Sequence, residues 1–508
     1  MRTKNFIFNF LTSIIPFAVF VLMGFVRVSV WQDKMGEDIY ALNQLFFQLF
    51  AYLSIAEAGI GSIVQKRYYP LLIDDDKENI CKYFTASKRF LKKICFLIFG
   101  MGFVLSFFLK FLAKDNSLSP FYMQGVFLLF LVKSLVEYFL FAPRFLLTAD
   151  QKLYKINLQN YGYKILESFM EIILIYFGVS YILVLLFSIV LRVVMNLHLN
   201  KIVYRQYPWL KDSPPDENTK LTGMSHILIF KIVSAVQENV GGLLISAFIN
   251  PLSVIIYTNY KYITKYLNDF IYQVGIAINA SLGNLLNQTG QEEKKFKIFE
   301  TISSMFYFIA SFLTLTLSFC INPFITLWVG ENKLLSSLSL ICLLFVFFHT
   351  IARTPVNLLK DIFVLYGDVQ LNSIIEAVTT TLLSLIFIKL GLGVTGVLLA
   401  AALSILIVSF FYLPIKIYKM VFGIFPIRDL LKYLLNIIIV IALQFVGRLL
   451  PFGVSSESFL MWFLTSVIMA VGIALPLFVI HFVLFKDFRM LTKMGLGSAK
   501  AILKGKNK

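Results

Sequence analysis

The chain alternates between long apolar runs and short polar segments, a pattern typical of helices that cross a lipid bilayer. A spanning helix needs about 20 mostly apolar residues. Uncharged runs of at least that length stand at 390–415 and 458–485, and most other runs carry one or two charges. We therefore predict an all-α integral membrane protein with about 14 transmembrane helices. The predicted spans are 5–27, 39–64, 94–113, 121–143, 157–178, 181–203, 225–249, 252–284, 299–321, 334–356, 369–388, 391–415, 431–449 and 458–485.

Composition supports lipid as the solvent for most of the surface. The 508 residues are 58% hydrophobic and 15% charged, against about 45–50% and about 25% in soluble domains. The formal net charge of +18 would favour nucleic-acid binding in a soluble protein. Here the distribution of the charge along the chain explains it in another way. We therefore predict no nucleic-acid partner.

The basic residues fall on alternate sides of the predicted spans. With the amino terminus placed in the cytosol, 33 of the 46 Lys and Arg residues lie in cytosolic segments and 7 on the opposite side. This is the bias of the positive-inside rule, and basic loops are attracted to anionic lipid headgroups. It predicts a multi-pass membrane protein with both termini cytosolic. The outer loops are short, which argues against an ectoenzyme or a receptor.

A weak internal repeat predicts two lobes. The segment GIGSIVQ at 59–65 and the segment SLGNLLN at 281–287 each end a predicted span, and Gly61 and Gly283 are 222 positions apart. Many transporters are built from such repeats, with the binding site between them. We predict two pseudo-symmetric six-helix lobes around a central cavity, followed by two further helices. The alternative is chance similarity between two helix-to-loop junctions. The predicted domains are 1–224, 225–428 and 429–508 with a basic tail.

Several charged residues fall within predicted spans, where a charge costs about 2.5–3.5 kcal/mol. Lys133 and Glu137 are four residues apart, and Lys164, Glu167 and Glu171 share one helix face by their spacing. Two interpretations stay open for these residues. They form self-neutralised salt bridges that hold helices together, or they have a role in function.

A polar stripe on the predicted span 252–284 points to an anionic substrate. Lys261, Lys265 and Asp269 recur every four residues, and Lys231 and Glu238 lie seven apart on the preceding span. Facing stripes on adjacent helices predict a hydrated cavity with an excess of positive charge. Phosphate or carboxylate groups are the natural partners of such lysines. The alternative is that the lysines snorkel to the membrane interface.

Two further residues are candidates for gating. Arg27 ends the first predicted span on the outer side, either as a plain boundary residue or as the outer gate. Glu57 precedes the cytosolic end of the second span and is either a gating or ion site or merely solvated. The sequence has no phosphate-binding loop, and its histidines and four cysteines show no metal-ligand spacing. We predict no enzyme activity, no cofactor and no metal.

Four segments carry a resemblance to a known family. They are EAGIG at 57–61, LLISAFINPLSVIIYTNYKYI at 243–263, PFITLWVGEN at 323–332 and LGLGVTGVLLA at 390–400. With them the chain resembles the polysaccharide transport family of the MOP flippase superfamily, the flippases of O-antigen and capsule repeat units. The resemblance implies a V-shaped cavity lined by the first, second, seventh and eighth helices.

The resemblance also implies a substrate and a mechanism. The protein would lie in the bacterial cytoplasmic (inner) membrane. Its substrate would be an oligosaccharide on undecaprenyl pyrophosphate, flipped by alternating access through a pyrophosphate and glycan cavity. The substrate-binding residues of that cavity would be Arg27, Lys231, Lys261 and Lys265, and those on the seventh and eighth helices would hold the pyrophosphate. Ion coupling or gating would involve Glu57, Glu238 and Asp269. Partners would be membrane lipids and the polymerase and glycosyltransferases of the same pathway. The alternatives are a flippase of lipid II or teichoic-acid precursors and a MATE-like exporter of small solutes. A membrane polymerase is disfavoured by the short outer loops, and a scaffold has no need of buried lysines.

Overall fold

The fold is helical throughout the described part of the chain. A computed structural model describes residues 2–53, 60–150, 152, 154–211, 219, 225–286, 290, 292–363, 365–449 and 453–493. Among these residues there are helices and turns but no strand. The chain divides into two compact units, Met1–Ile255 and Ile256–Lys508. The domain boundaries predicted from the sequence stay predictions.

The first unit contains ten helices in its described residues. They are α1 (Arg2–Lys34), α2 (Glu37–Leu53), α3 (Ile60–Ile73), α4 (Lys77–Ser106), α5 (Leu109–Leu112), α6 (Pro120–Leu140), α7 (Arg144–Ala149), α8 (Tyr154–Tyr176), α9 (Tyr181–Gln206) and α10 (Ser225–Phe248). Helix α1 packs along α8, α6 packs along α9 and α4, and α2 packs against α10.

The second unit begins inside a long helix. Its described helices are α11 (Pro251–Leu286), α12 (Glu292–Val329), α13 (Ser337–Ala352), α14 (Thr354–Ile362), α15 (Tyr366–Lys389), α16 (Gly393–Ser404), α17 (Phe410–Phe422), α18 (Ile427–Leu449) and α19 (Phe459–Leu484). A π-helical segment, Ile405–Ser409, joins α16 to α17. Helix α12 packs on α13, α18 and α19, and α15 packs on α16.

The surfaces of the long helices confirm an all-α membrane protein that crosses the bilayer several times. Within the described residues, seven helices are long and apolar enough to span, and the bent pair α13–α14 would make an eighth. Their outward side chains are apolar: Val190 of α9 is 63% exposed and Leu460 of α19 is 68% exposed. Large exposed apolar surfaces of this kind require a lipid solvent.

Most predicted spans coincide with one described helix, and several of these helices extend beyond the apolar run. The span 334–356 is divided between α13 and α14, and the span 39–64 falls on α2, on residues 54–59 outside the described part, and on α3. Helix α4 begins at Lys77, 17 residues before its predicted span at 94, because backbone hydrogen bonding continues beyond the hydrocarbon layer. The division of 157–203 into two helices is confirmed. Helix α8 ends just before Gly178, whose φ of +75° is a left-handed conformation that glycine adopts without strain.

Some helices begin at capping side chains. Asp76 accepts a hydrogen bond from the backbone N–H of Asn79 at 3.1 Å and starts α4. The hydrogen bonds from Asn79 lower the pKa of the Asp76 carboxyl. Ser119 caps α6 by accepting from the N–H of Tyr122 at 3.3 Å, and Pro120 occupies the first helical turn. These are preferred residues at a helix start.

An ion cluster ties the last helices of the second unit together. Lys432 of α18 contacts Glu300 of α12 and lies 2.7 Å from Asp487, just beyond α19. Arg428 also reaches Asp487, at 2.8 Å. The hydroxyl of Tyr418 donates to Glu300 at 3.1 Å. The two cations and two carboxylates fix α18 and the segment after α19 against α12 and α17.

A second buried ion pair lies at the bend between α13 and α14. Arg353, 1% exposed, is 2.6 Å from Asp429, 2% exposed. Tyr307 donates its hydroxyl to Asp429 at 2.7 Å, and the guanidinium lies 4.5 Å from the ring centre of Tyr433. The pair therefore joins α12, the α13–α14 bend of 42° and α18.

Replacing one partner of this pair should destabilise the second unit strongly. Asp429→Asn leaves the Arg353 guanidinium buried without a counter-charge, a change that costs about 3–5 kcal/mol. The apolar double variant R353M/D429L should recover part of this loss. Unfolding of the detergent-solubilised protein measures both. Glu78→Gln, at the exposed pair with Lys82, is the control and should change stability by less than about 1 kcal/mol. Equal stability of the D429N variant and the wild type would contradict the prediction.

Candidate functional site

The predicted polar stripe lies on one uninterrupted helix. Helix α11 runs for 36 residues through Lys261, Lys265 and Asp269, so their spacing of four places them on one side of it. Lys261 and Asp269 are half-buried, and Lys265 is exposed. Two ammonium groups on consecutive turns repel each other. This side of α11 is therefore suited to an anionic group that contacts both lysines.

The other predicted site residues are only partly described. Glu57 lies outside the described residues, and so does the side chain of Lys231, whose backbone is part of α10. Glu238 is exposed on α10. The assignment of substrate binding and ion coupling to these residues stays a prediction. Within the described part of the chain, no three His, Cys, Asp or Glu side chains gather as a metal site would require.

Arg27 contacts a carboxylate of a neighbouring helix. Helix α1 continues past it to Lys34, so Arg27 lies about two turns before the helix end. Its Nη1 is 3.4 Å from Oε2 of Glu171 on α8, and the Arg27 side chain is 27% exposed while that of Glu171 is 3% exposed. Arg27 therefore belongs to a cluster of ionised side chains inside the first unit.

This cluster joins four helices of the first unit. Lys133 of α6 lies 2.9 Å from Oε1 of Glu167 and 2.7 Å from Oε1 of Glu171. Arg192 of α9 approaches Glu167 at 3.1 Å. We call Lys133, Glu167, Glu171 and Arg192 the ion core. Glu167 and Glu171 are four apart on α8, where their like charges repel, and the ammonium between them offsets this repulsion.

The charges of the ion core form salt bridges between helices rather than along one helix. The pairing within α6, Lys133 with Glu137, is wrong, because Lys133 binds the carboxylates of α8. Glu137 instead lies 3.9 Å from Arg144. The pairing of Lys164 with Glu167 and Glu171 is also wrong, because Lys164 lies over the ring of Tyr161 at 5.9 Å. Spacing along one helix cannot show that α6, α8 and α9 are neighbours.

Glu376 on α15 is a further ionisable side chain within a predicted span. The hydroxyl of Ser409 donates to its carboxylate, and Asn372 donates its amide to Ser409 Oγ at 3.0 Å. Among the described residues, no cationic side chain forms an ion pair with Glu376. The Asn372 hydrogen bond occupies the acceptor side of the hydroxyl, so the Ser409 proton is directed at Glu376.

The π-helical segment explains how two serines reach α15. Ser404 donates its hydroxyl to the backbone carbonyl of Glu376 at 2.8 Å, and Ser409 binds the carboxylate of the same residue. Residues five apart diverge around an α-helix but align where the hydrogen bonds run from i to i+5. Glu376 falls within the predicted span 369–388, but its place in the sequence assigns it no role. Nothing in the apolar run ILIVS signals a π-helix, so this arrangement was not predictable.

Comparisons with known proteins identify the fold. No family model matches the sequence, and no curated protein matches it. The structure is similar to the lipid II flippase MurJ in an inward closed conformation, with a TM-score of 0.67 at 15% identity over 92% of this chain and 98% of that chain. A MATE protein in complex with MaL6 gives a TM-score of 0.53 at 12% identity over 87% and 97%. An inward-facing multidrug resistance MATE family transporter of the MOP superfamily gives 0.50 at 14% over 84% and 96%.

The chain has the fold of the MOP superfamily transporters. The three neighbours are transporters and not enzymes. These likenesses show the fold, while membership of the superfamily and of its polysaccharide transport family stays a prediction. A fold shared by a flippase of a lipid-linked precursor and by multidrug exporters does not decide the substrate.

The ion core makes Lys133 the critical lysine among those in the first unit's spans. Lys133→Met leaves Glu167 and Glu171 buried with one cation fewer, and we expect a loss of about 3–5 kcal/mol in the free energy of unfolding. Lys164→Met, on α8, should change it by less than about 1 kcal/mol. Unfolding in detergent micelles compares the two. Similar losses in both variants would favour the pairing within helices over the ion core.

Proposed function

We propose that this protein flips an anionic, lipid-linked oligosaccharide across the membrane by alternating access. The observation that carries the proposal is the pair Lys261 and Lys265 on consecutive turns of a membrane helix. An oligosaccharide on undecaprenyl pyrophosphate supplies the negative charge that such a pair binds. The polar head would travel through the protein while the apolar tail remains in the bilayer, so neither part enters an unfavourable solvent.

One of the structural neighbours supports the proposal of a lipid-linked substrate, although the fold alone does not decide it. The neighbour with the TM-score of 0.67 is described as a lipid II flippase, and lipid II is itself a lipid-linked precursor. This likeness keeps the precursors of lipid II and teichoic acid as alternatives. Because two neighbours are MATE proteins, an exporter of small solutes is a further alternative. Drug pumps that favour cationic substrates would, however, need acidic rather than basic side chains in their binding site.

Under the proposal the protein lies in the bacterial cytoplasmic membrane and has cytosolic termini. It acts with the glycosyltransferases and the polymerase of one pathway.

Removing both lysines should block flipping. In K261A/K265A the pyrophosphate loses two charged hydrogen-bond donors, each worth about 1.5–3 kcal/mol. We expect the flipping rate to fall at least about tenfold. The measurement uses proteoliposomes that contain fluorescent undecaprenyl-pyrophosphate oligosaccharide. It follows over time the fraction of the probe that a membrane-impermeant quencher can reach.

The matched control removes two lysines elsewhere in the second unit. Lys294 and Lys297 are exposed on α12, and K294A/K297A changes the net charge by the same amount. This variant should keep at least about half of the wild-type rate, because surface charges contribute little. Wild-type flipping in K261A/K265A, or no flipping of the probe by the wild type, would refute the proposal.

We further propose that Glu376 couples flipping to an ion gradient. The sequence has no nucleotide-binding loop, so the energy must come from a gradient or the membrane potential. A carboxylate at membrane depth is costly when ionised. With a serine hydroxyl as its described side-chain partner, Glu376 would be neutralised by a proton or by a small cation. Binding of the proton or cation would favour one conformation of the α15–α17 region, and its release would favour another.

Glu376→Gln should uncouple the protein. The oxygen of the amide can still accept the hydrogen bond from the Ser409 hydroxyl. The amide neither takes up a proton nor attracts a cation. We expect flipping driven by an imposed gradient to fall about tenfold to the rate without a gradient. Proteoliposomes with separate pH and sodium gradients distinguish the two ions. Asp368→Asn, on the exposed first turn of the same helix, should retain the gradient response. An unchanged response in E376Q would exclude Glu376 as the coupling residue.

A further inference from the structure

A groove in the surface of the first unit lies between α4, α6 and α9. Its volume is about 430 Å³, and none of the nine residues that line it is charged. Phe96 and Phe99 come from α4, Val132 and Phe139 from α6, and Val193 from α9. Phe96 is 65% exposed and Phe139 is 48% exposed, so the groove is open to the solvent that surrounds the unit.

That solvent is hydrocarbon. The residues that line the groove fall within the predicted spans 94–113, 121–143 and 181–203, and α6 and α9 are long and apolar enough to cross a bilayer. Apolar walls offer no hydrogen bonds to water. An empty groove would forfeit the dispersion contacts of its walls, so an alkyl chain is the occupant that suits it.

Two exposed lysines precede the groove on the same side of α4. Lys88, Lys92 and Phe96 follow one another at intervals of four residues, so they share one face of the helix. No carboxylate in the described ranges forms an ion pair with either lysine, whereas Lys82 of the same helix pairs with Glu78 at 2.7 Å. Ammonium groups on consecutive turns repel each other. An anion that contacts both lysines offsets this repulsion.

We propose that this face of α4 and the groove bind one anionic phospholipid of the bilayer. The phosphate contacts Lys88 and Lys92, and one acyl chain lies between α4, α6 and α9. Lys92 precedes Phe96 by one turn, about 6 Å along the helix axis, a separation that the glycerol linker between a phosphate and an acyl chain can bridge. The lysines favour an anionic headgroup over a zwitterionic one.

The size of the groove distinguishes this lipid from the proposed substrate. A volume of about 430 Å³ accommodates an acyl chain but not an undecaprenyl chain, which is several times longer. The groove also lies within one unit, on helices that do not carry Lys261 and Lys265. The inference is therefore independent of the proposed function.

The test is photolabelling of the full-length protein in nanodiscs of phosphatidylcholine. The probe is a trace of phosphatidylglycerol with a diazirine on one acyl chain, and mass spectrometry identifies the labelled residues after illumination. We expect the label on residues of α4, α6 and α9 that line the groove. A phosphatidylcholine probe with the same acyl chain should label them at least about tenfold less, because the lysines attract only the anionic headgroup.

One pair of variants tests the lysines. K88Q/K92Q should lower the labelling by the phosphatidylglycerol probe at least about tenfold. The matched control K294Q/K297Q removes two exposed lysines of α12 and should leave the labelling unchanged. Both variants should keep the wild-type melting temperature, because all four side chains are exposed.

A second pair of variants tests the groove. V132W places a large ring in it and should lower the labelling of α4 severalfold, because the ring displaces the acyl chain. The control V104W adds the same ring to α4 at a position that is 59% exposed and outside the groove, and it should retain the labelling.

The opposing outcomes are distinct. Equal labelling by the two probes would mean that the groove holds ordinary bilayer lipid only. Wild-type labelling in K88Q/K92Q or in V132W would overturn the headgroup contact or the acyl-chain contact, and with it the inference. Undecaprenyl phosphate that displaces the probe at a lower concentration than phosphatidylglycerol would assign the groove to a prenyl chain and overturn the inference. None of these outcomes involves flipping, so the proposed function is tested separately.

Discussion

Charge in an apolar solvent is the constraint on which this structure depends. In lipid a single ionised side chain is costly, so charged residues within spans are retained where a counter-charge or a ligand offsets that cost. The ion core of the first unit and the Arg353–Asp429 pair of the second follow this rule. Each joins helices that are distant in sequence. The same interaction that neutralises the charges therefore selects which helices pack together.

Two places differ from these balanced clusters in the kind of side chains they bring together. Lys261 and Lys265 place like charges on consecutive turns, and among the described residues Glu376 binds a hydroxyl where the ion core has ammonium groups. An anionic cargo gives a physical reason for the two lysines, and a coupling ion gives one for Glu376, which is why the two proposals concern these positions.

The sequence predicts the fold well because solvent dictates it. Lipid requires long apolar helices, so the spans are readable from composition, and Gly178 marks the division between α8 and α9. The site is less readable. The stripe through Lys261 and Lys265 was predictable because it lies on one helix. The partners of Lys133 were not, because spacing along α6 offers Glu137 whether or not α8 is adjacent. The π-helical segment before Ser409 has no signal in its apolar run.

A flippase must release what it binds, and this requirement bears on how its charges are arranged. A cation that stays unpaired after release would make the empty state costly, and a cation locked in a tight pair would not engage the substrate. The contacts of the empty state and of the loaded state must therefore be of similar free energy. Transport in both directions of the cycle then depends on modest differences that a gradient can supply.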